Sequence, residues 1–336
     1  MLFQPAIIAL MLASGLAALL VLASVPFAWT VVRRWNLADG SEAQLRMERR
    51  TYLVATLLKI VMAAELAALV LFVFNADRMA TLFTGAMCAV GTLKVDPWGF
   101  PTLYLKLAVF FLAGCWLVLD HVDNRGWDYP LIRVKYAALI LLAPVLVGSA
   151  VVQGAYFLGL RADVITSCCS TLFSGGGVTV TSNSVASLPH GLALSLLAGS
   201  LAAVLASGAV VLRWRRFGWL HALLSVAAFV IGMSAIISTI SVYVYEMPHH
   251  HCPFCILKRE YGHIGYALYV PLFVGTVCGL GAGIAGWAGR RPSLSTMAPL
   301  VARSLAAWSV GGYALFGLVA LWLIERSHLI LFEVVP

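Results

Sequence analysis

The chain has 336 residues, of which 62% are apolar and only 11% charged, where a soluble domain carries about 25% charged residues. That deficit excludes an ordinary soluble domain, and the apolar content excludes disorder, a collagen-like rod and a small disulfide scaffold. The formal net charge of +8, from 22 Lys plus Arg against 14 Asp plus Glu, has to be tested as a topology signal before it can suggest nucleic acid.

A spanning helix needs about 20 mostly apolar residues. Eight stretches meet that need, at roughly 5–32, 52–74, 101–119, 136–160, 188–212, 217–244, 264–287 and 304–324. Lipid offers the backbone no hydrogen-bond partners, so spans are helices or closed barrels. Runs this long and continuous are helical, because barrel strands alternate. The expected fold is therefore all-α: a polytopic membrane bundle of about eight transmembrane helices, a single transmembrane domain over 1–336. The first stretch lacks a basic leader region, its first charge is Arg33, and its apolar run is too long for a signal peptide. It reads as a retained helix.

The basic residues divide by side. One set of loops carries fourteen: Arg33, Arg34, Arg46, Arg49, Arg50, Arg125, Arg133, Lys135, Arg213, Arg215, Arg216, Arg290, Arg291 and Arg303. The other carries six: Arg78, Lys94, Arg161, Lys258, Arg259 and Arg326. The positive-inside rule then predicts both termini outside, on the periplasmic side if the membrane is a bacterial inner (cytoplasmic) membrane. The surplus charge reports orientation, and nucleic acid has no further claim on it.

Seven cysteines follow the same map. Cys115 and Cys278 lie inside spans and read as small apolar packing residues. Cys88, Cys168, Cys169, Cys252 and Cys255 fall in the outer loops 75–100, 161–187 and 245–263. Outside a bacterial inner membrane is the oxidising side, where disulfides persist.

The strongest local motif is PHHHCPFCILKREYGHIGY, residues 248–266. Cys252 and Cys255 are spaced C-x-x-C. The spacing predicts them in the first turn of the seventh span, with Pro253 suited to that turn. There the helix dipole would lower the pKa of the first thiol, and Lys258 and Arg259 would add positive charge. His249, His250 and His251 would act as bases or proton carriers. A low-pKa thiol with a second Cys three residues on is what thiol–disulfide exchange requires. Two other readings stand beside it. One is an inert disulfide that pins the loop. The other is a soft-metal site for copper or zinc, with His249, His250, His251, Cys252 and Cys255 as ligands.

The string Cys252-Pro253-Phe254-Cys255-Ile256-Leu257-Lys258-Arg259 resembles the DsbB family of membrane disulfide oxidases. That family carries a C-x-x-C at the outer end of a transmembrane helix and an Arg four residues after the second Cys, beside a bound quinone. The resemblance implies electron transfer between Cys252/Cys255 and a quinone, with Arg259 polarising the quinone oxygen and His263 a second candidate for its site. Four residues are about one helical turn, which would set Arg259 on the face of Cys255. The family's second cysteine pair has no counterpart after Cys278, so the resemblance implies Cys168 with Cys169, or Cys88 with one of them. The chemistry is also similar to that of the vitamin K epoxide reductase family.

Cys168 and Cys169 are adjacent, with Cα atoms about 3.8 Å apart across a trans peptide. That is shorter than the usual disulfide range, so a bond between them would be strained and easily reduced. Such a pair suits an electron shuttle or a soft-metal trap, and mercuric-ion transporters also carry vicinal cysteines. Two unrelated small residues are the plain alternative.

Inside the spans, Lys59 is expected to snorkel inward and Lys106 outward. Glu65 has no such escape and is a candidate proton relay, against the plainer reading of a buried, protonated, hydrogen-bonded acid. Gly275, Gly279 and Gly283 have the spacing that lets another helix approach closely. Tyr261, Tyr266, Tyr269 and Trp98 are expected at the outer interface.

The sequence thus favours a membrane thiol–disulfide oxidoreductase, passing electrons between an extracytoplasmic thioredoxin-like or other redox protein and a quinone. The alternatives are a soft-metal (copper, zinc or mercury) binding or transport protein and a structural membrane subunit of a redox complex. All three place the chain in a lipid bilayer.

Overall fold

The computed structural model describes residues 4–36, 39–161, 164–166, 188–215 and 217–329. Among them, eight helices are long and apolar enough to cross a membrane, and the chain is an all-α integral membrane protein. In chain order the helices are α1 (Pro5–Arg34), α2 (Glu42–Met79), the short α3 (Ala89–Lys94), α4 (Gly99–Asp123), α5 (Ile132–Gly159), α6 (His190–Trp214), α7 (Gly218–Ala235), α8 (Ser241–Tyr245), α9 (Ile264–Ala288) and α10 (Ala298–Arg326). One π turn, Ile236–Ile240, joins α7 and α8 into a single span. All eight expected stretches are helices. The second runs well beyond its apolar segment at both ends, from Glu42 to Leu82. Its extra turns are rich in Glu, Gln and Arg, which are good helix formers.

The chain divides into two compact units, each discontinuous in sequence. One unit comprises Met1–Ala76, Leu93–Ala162 and Trp287–Val301. In it α1 packs along α5 and α5 along α4. Their core includes Val21, Leu58, Val109, Tyr136 and Leu139, all fully buried. The same unit buries Lys side chains against carboxyl groups. Lys106 Nζ lies 3.0 Å from Glu65 Oε2 and donates to Ser14 Oγ at 2.7 Å. Gln153 joins this group, accepting from Ser14 Oγ at 3.3 Å and donating to the Leu10 carbonyl at 3.0 Å.

Lys106 therefore does not snorkel; it is 1% exposed. A lone Lys near the centre of a span costs about 2.5–3.5 kcal/mol on insertion scales, and a lone Glu would add to that. Pairing the two inside the unit offsets both. A second group is built on Lys135, which contacts Asp123 Oδ2 at 2.7 Å and Asp120 Oδ1 at 3.1 Å. Lys59 completes it, 2.9 Å from Asp120 Oδ2. Lys135 sits in the first turn of α5 and is 1% exposed, so it is not a loop charge and drops out of the fourteen.

The other unit comprises Asp77–Thr92, Asp163–Gly286 and Ala302–Pro336. Within it α6 packs along α7. The glycines of α9 admit close neighbours, as their spacing predicts. A Cβ on Gly279 would fall 2.0 Å from Ser225 Oγ, and one on Gly283 would fall 2.6 Å from Ala222 Cβ. His221 is fully buried here, with Nδ1 2.9 Å from Ser207 Oγ and Nε2 3.1 Å from Ser309 Oγ. Both ring nitrogens are thus satisfied, as a polar group buried in a span requires.

Candidate functional site: three sulfurs on two loops

All of the site described here lies in the second unit. Its first segment follows α2. A 3-10 turn, Ala80–Leu82, leads into Gly85, whose φ of +85° suits glycine. Gly85 is also crowded, since a Cβ there would sit 2.0 Å from the Thr166 carbonyl oxygen. Thr166 braces this segment twice. Its N–H donates to the Thr84 carbonyl and its hydroxyl to the Gly91 carbonyl, each at 3.0 Å. Cys88 follows, just before α3, with no exposed surface.

The second segment joins α8 to α9. It carries a 3-10 turn at Cys255–Leu257, an extended Lys258, a second 3-10 turn at Arg259–Tyr261, and two left-handed residues, Gly262 and His263. Only at Ile264 does α9 begin. Cys252 and Cys255 therefore do not lie in the first turn of the spanning helix, and the helix dipole does not act on them as expected. The two left-handed residues stop the helix from extending back to the C-x-x-C.

What holds this loop is a set of side chains on its carbonyls. The Tyr245 hydroxyl donates to the Cys252 carbonyl, and the Tyr269 hydroxyl to the Pro253 carbonyl at 2.6 Å. Tyr269 is thus a strut of the loop, beyond its expected place at the interface. Tyr245 also meets His250 and Tyr261 edge-on, at ring-centroid distances of 4.3 and 4.7 Å. His251 Nδ1 donates to the Ile237 carbonyl at 3.1 Å, at the π turn. Each such bond contributes about 0.5–1.5 kcal/mol net. Burial lowers the pKa of His251, helped by the neighbouring imidazoles of His190, His249 and His250, so the neutral ring is favoured. Burial raises that of the Tyr261 phenol.

Two segments more than 160 residues apart thereby bring three sulfurs together. Cys88, Cys252 and Cys255 have their Sγ atoms all within 4.8 Å of one another. Cys88 and Cys252 are in nonbonded contact at 3.5 Å. Cys88 and Cys252 are 0% exposed and Cys255 is 6% exposed, which makes Cys255 the least buried of the three residues. Lys258 Nζ donates to the Met87 carbonyl, tying the two segments together one residue before Cys88.

The other predicted site residues lie elsewhere. Arg259 and His263 are exposed. The extended Lys258 breaks the helical register that would have set Arg259 on the face of Cys255. His263 Nδ1 donates to the Leu257 carbonyl at 2.7 Å. His249 is exposed, and the rings of His250 and His251 are engaged with Tyr245 and Ile237. Glu65 belongs to the other unit, ion-paired with Lys106. Cys168 and Cys169 lie outside the described residues.

Sequence reasoning missed Asp77, Tyr245 and the bracing role of Tyr269. The only local signal was an acid and two phenols at the ends of apolar runs. No protein-family model, curated protein or solved structure matches this chain.

Proposed function

We propose that this protein is a membrane thiol–disulfide exchange protein, working with an extracytoplasmic dithiol or disulfide protein in a bacterial inner membrane. The observation that supports this reading is the grouping of Cys88, Cys252 and Cys255 within 4.8 Å. Exchange needs a thiolate able to approach a disulfide sulfur and a second thiol to resolve the mixed disulfide.

A partner thiolate attacks Cys255 of a Cys252–Cys255 disulfide, forming a mixed disulfide and releasing Cys252 as thiolate. The partner's second thiolate then attacks its own sulfur in that mixed disulfide and releases Cys255. Two electrons pass to the chain, two protons follow, and the partner leaves as a disulfide. The reverse sequence oxidises the chain. Cys255 takes the partner because it is the most exposed of the three. Cys88 attacks Cys252 in the Cys252–Cys255 disulfide, giving Cys88–Cys252 and a Cys255 thiol with no net change in oxidation state.

A quinone is the electron acceptor that the family resemblance implies. Arg259 and His263, the residues assigned to it, are exposed and do not enclose the sulfurs, so no step is routed through them.

The test is to incubate the purified full chain with glutathione disulfide, quench in acid, label thiols after unfolding and map the linkages. Cys252 and Cys255 are expected to become linked within minutes, and Cys252→Ser is expected to abolish that linkage. A stoichiometric soft metal retained by the three sulfurs, and lost in Cys252→Ser, would overturn this reading in favour of metal handling. Partner complexes that keep full activity after Cys88, Cys252 and Cys255 are all changed to Ser would favour a structural subunit.

A further inference from the structure

One half-buried acid near Cys88 takes no part in the exchange described above. Asp77 lies in the last turn of α2. Its carboxylate accepts a hydrogen bond from the Ala89 N–H, the peptide group directly after Cys88. Its Oδ1 is buried with no hydrogen-bond partner among the described residues. An unsatisfied buried carboxylate oxygen costs stability, so its presence calls for a reason. A carboxylate bonded to the N–H of residue 89 lies roughly 4–7 Å from the sulfur of residue 88, by covalent geometry plus one hydrogen bond. That is contact through one water, or directly after a small rotation of either side chain.

The groups facing Asp77 are few. Lys258 and Glu260 interact with it from the loop before α9, Cys88 from its own loop, and Tyr266 from α9. Lys258 favours the ionised carboxylate and Glu260 opposes it.

We propose that Asp77 is the proton acceptor for Cys88, taking the thiol proton through Oδ1 as Cys88 attacks Cys252. This rests on the exchange reading above. In the step, the Cys88 S–H bond breaks and its proton goes to Asp77. The Cys88 sulfur bonds to Cys252, the Cys252–Cys255 bond breaks, and Cys255 leaves as thiolate. Asp77 then passes the proton to Cys255 or to water. No oxidant is consumed. Asp77 sets how fast the buried sulfur communicates with the outer pair.

The test follows the Cys88–Cys252 linkage over time, in the full chain oxidised with one equivalent of glutathione disulfide, between pH 5.5 and 10. Asp77→Asn keeps an acceptor for the Ala89 N–H and is close to isosteric. It is expected to slow the appearance of Cys88–Cys252 by about 10²-fold at pH 7, the lower end for loss of a general base. The rates of variant and unsubstituted chain are expected to draw together toward pH 10, as hydroxide replaces the carboxylate as proton acceptor. Asp77→Glu is expected to restore part of the neutral-pH rate. The Cys252–Cys255 linkage itself is expected to form at an unchanged rate.

An Asp77→Asn rate that is unchanged, or lowered by the same factor at every pH, overturns the proposal and leaves exchange standing. If the unsubstituted chain forms Cys252–Cys255 but never Cys88–Cys252, the role of Asp77 falls alone. If it forms neither linkage at any pH, the exchange reading falls and takes the proposal with it.

Discussion

The charged groups of the first unit and the sulfurs of the second are both buried and both assembled from distant segments, yet they call for different explanations. Lys106 with Glu65, and Lys135 with Asp120 and Asp123, are ion pairs inside long helices. Each member needs its partner, because an unpaired charge in a span is expensive. Stability alone accounts for these contacts. The three sulfurs need no partners. A buried thiol packs as a small apolar group, and gathering three of them gains little that alanine would not supply. Three thiols within 4.8 Å, braced by two phenols, His251 and Lys258, are therefore not explained by pairing in the way the charges are. The comparison teaches that burial of a polar group in a membrane protein is informative only when pairing has not already explained it.

This contrast can be broken by experiment. The largest expected effect is at Lys135. Lys135→Met leaves two buried carboxylates with only the half-exposed Lys59, and is expected to cost about 3–5 kcal/mol. Thermal unfolding in detergent, followed by size-exclusion chromatography, measures it. A loss below 1 kcal/mol would show that these charges are not held by pairing.

Next is the Lys106–Glu65 pair. Lys106→Met alone is expected to destabilise by about 2–3 kcal/mol, and Lys106→Met with Glu65→Leu to return within about 1 kcal/mol of the unsubstituted chain. If the double variant is as unstable as the single one, or loses a transport or exchange activity, Glu65 is more than a partner for Lys106, and its candidacy as a proton relay revives.

At the sulfurs the order reverses. Cys88→Ala is expected to cost no more than about 1.5 kcal/mol of stability while abolishing the Cys88–Cys252 linkage and leaving Cys252–Cys255 to form. A large stability loss with no change in exchange would make the cluster a packing feature like the ion pairs.

The smallest effect is the pH dependence of the loop. His251 has its pKa lowered in the folded protein, so between that value and the ordinary one near 6.5 the unfolded chain binds more protons. The stability it contributes is full above about pH 6.5 and is lost as pH falls through the folded value. Protection factors of the loop amides, corrected for the intrinsic pH dependence of exchange, are expected to fall on acidification in that window, and to fall less in His251→Gln.

Much of the fold was legible and rather little of the site. The eight helices were readable because hydrophobic length is a local property. Lys135 and Lys106 were misread for a non-local reason. Both look like charges near helix ends that can reach water, and only their neighbours Asp123 and Glu65 show that they do not. The C-x-x-C was found, but its placement at the mouth of the helix was not, because Gly262 and His263 start α9 nine residues after Cys255. Arg259 is exposed and out of the helical register that would have set it on the face of Cys255.

By itself, the sequence determined a helical membrane protein, since lipid leaves an apolar backbone few alternatives, and a pair of cysteines spaced C-x-x-C. The tertiary structure decided which third sulfur joins them, which acid stands beside it and which intramembrane charges are already matched. Those are contacts between segments as far apart as Cys88 and Cys252, and they depend on how helices pack and loops are braced. The net charge of +8 that the sequence offers as an orientation signal includes Lys135, which the structure turns into an internal counter-ion.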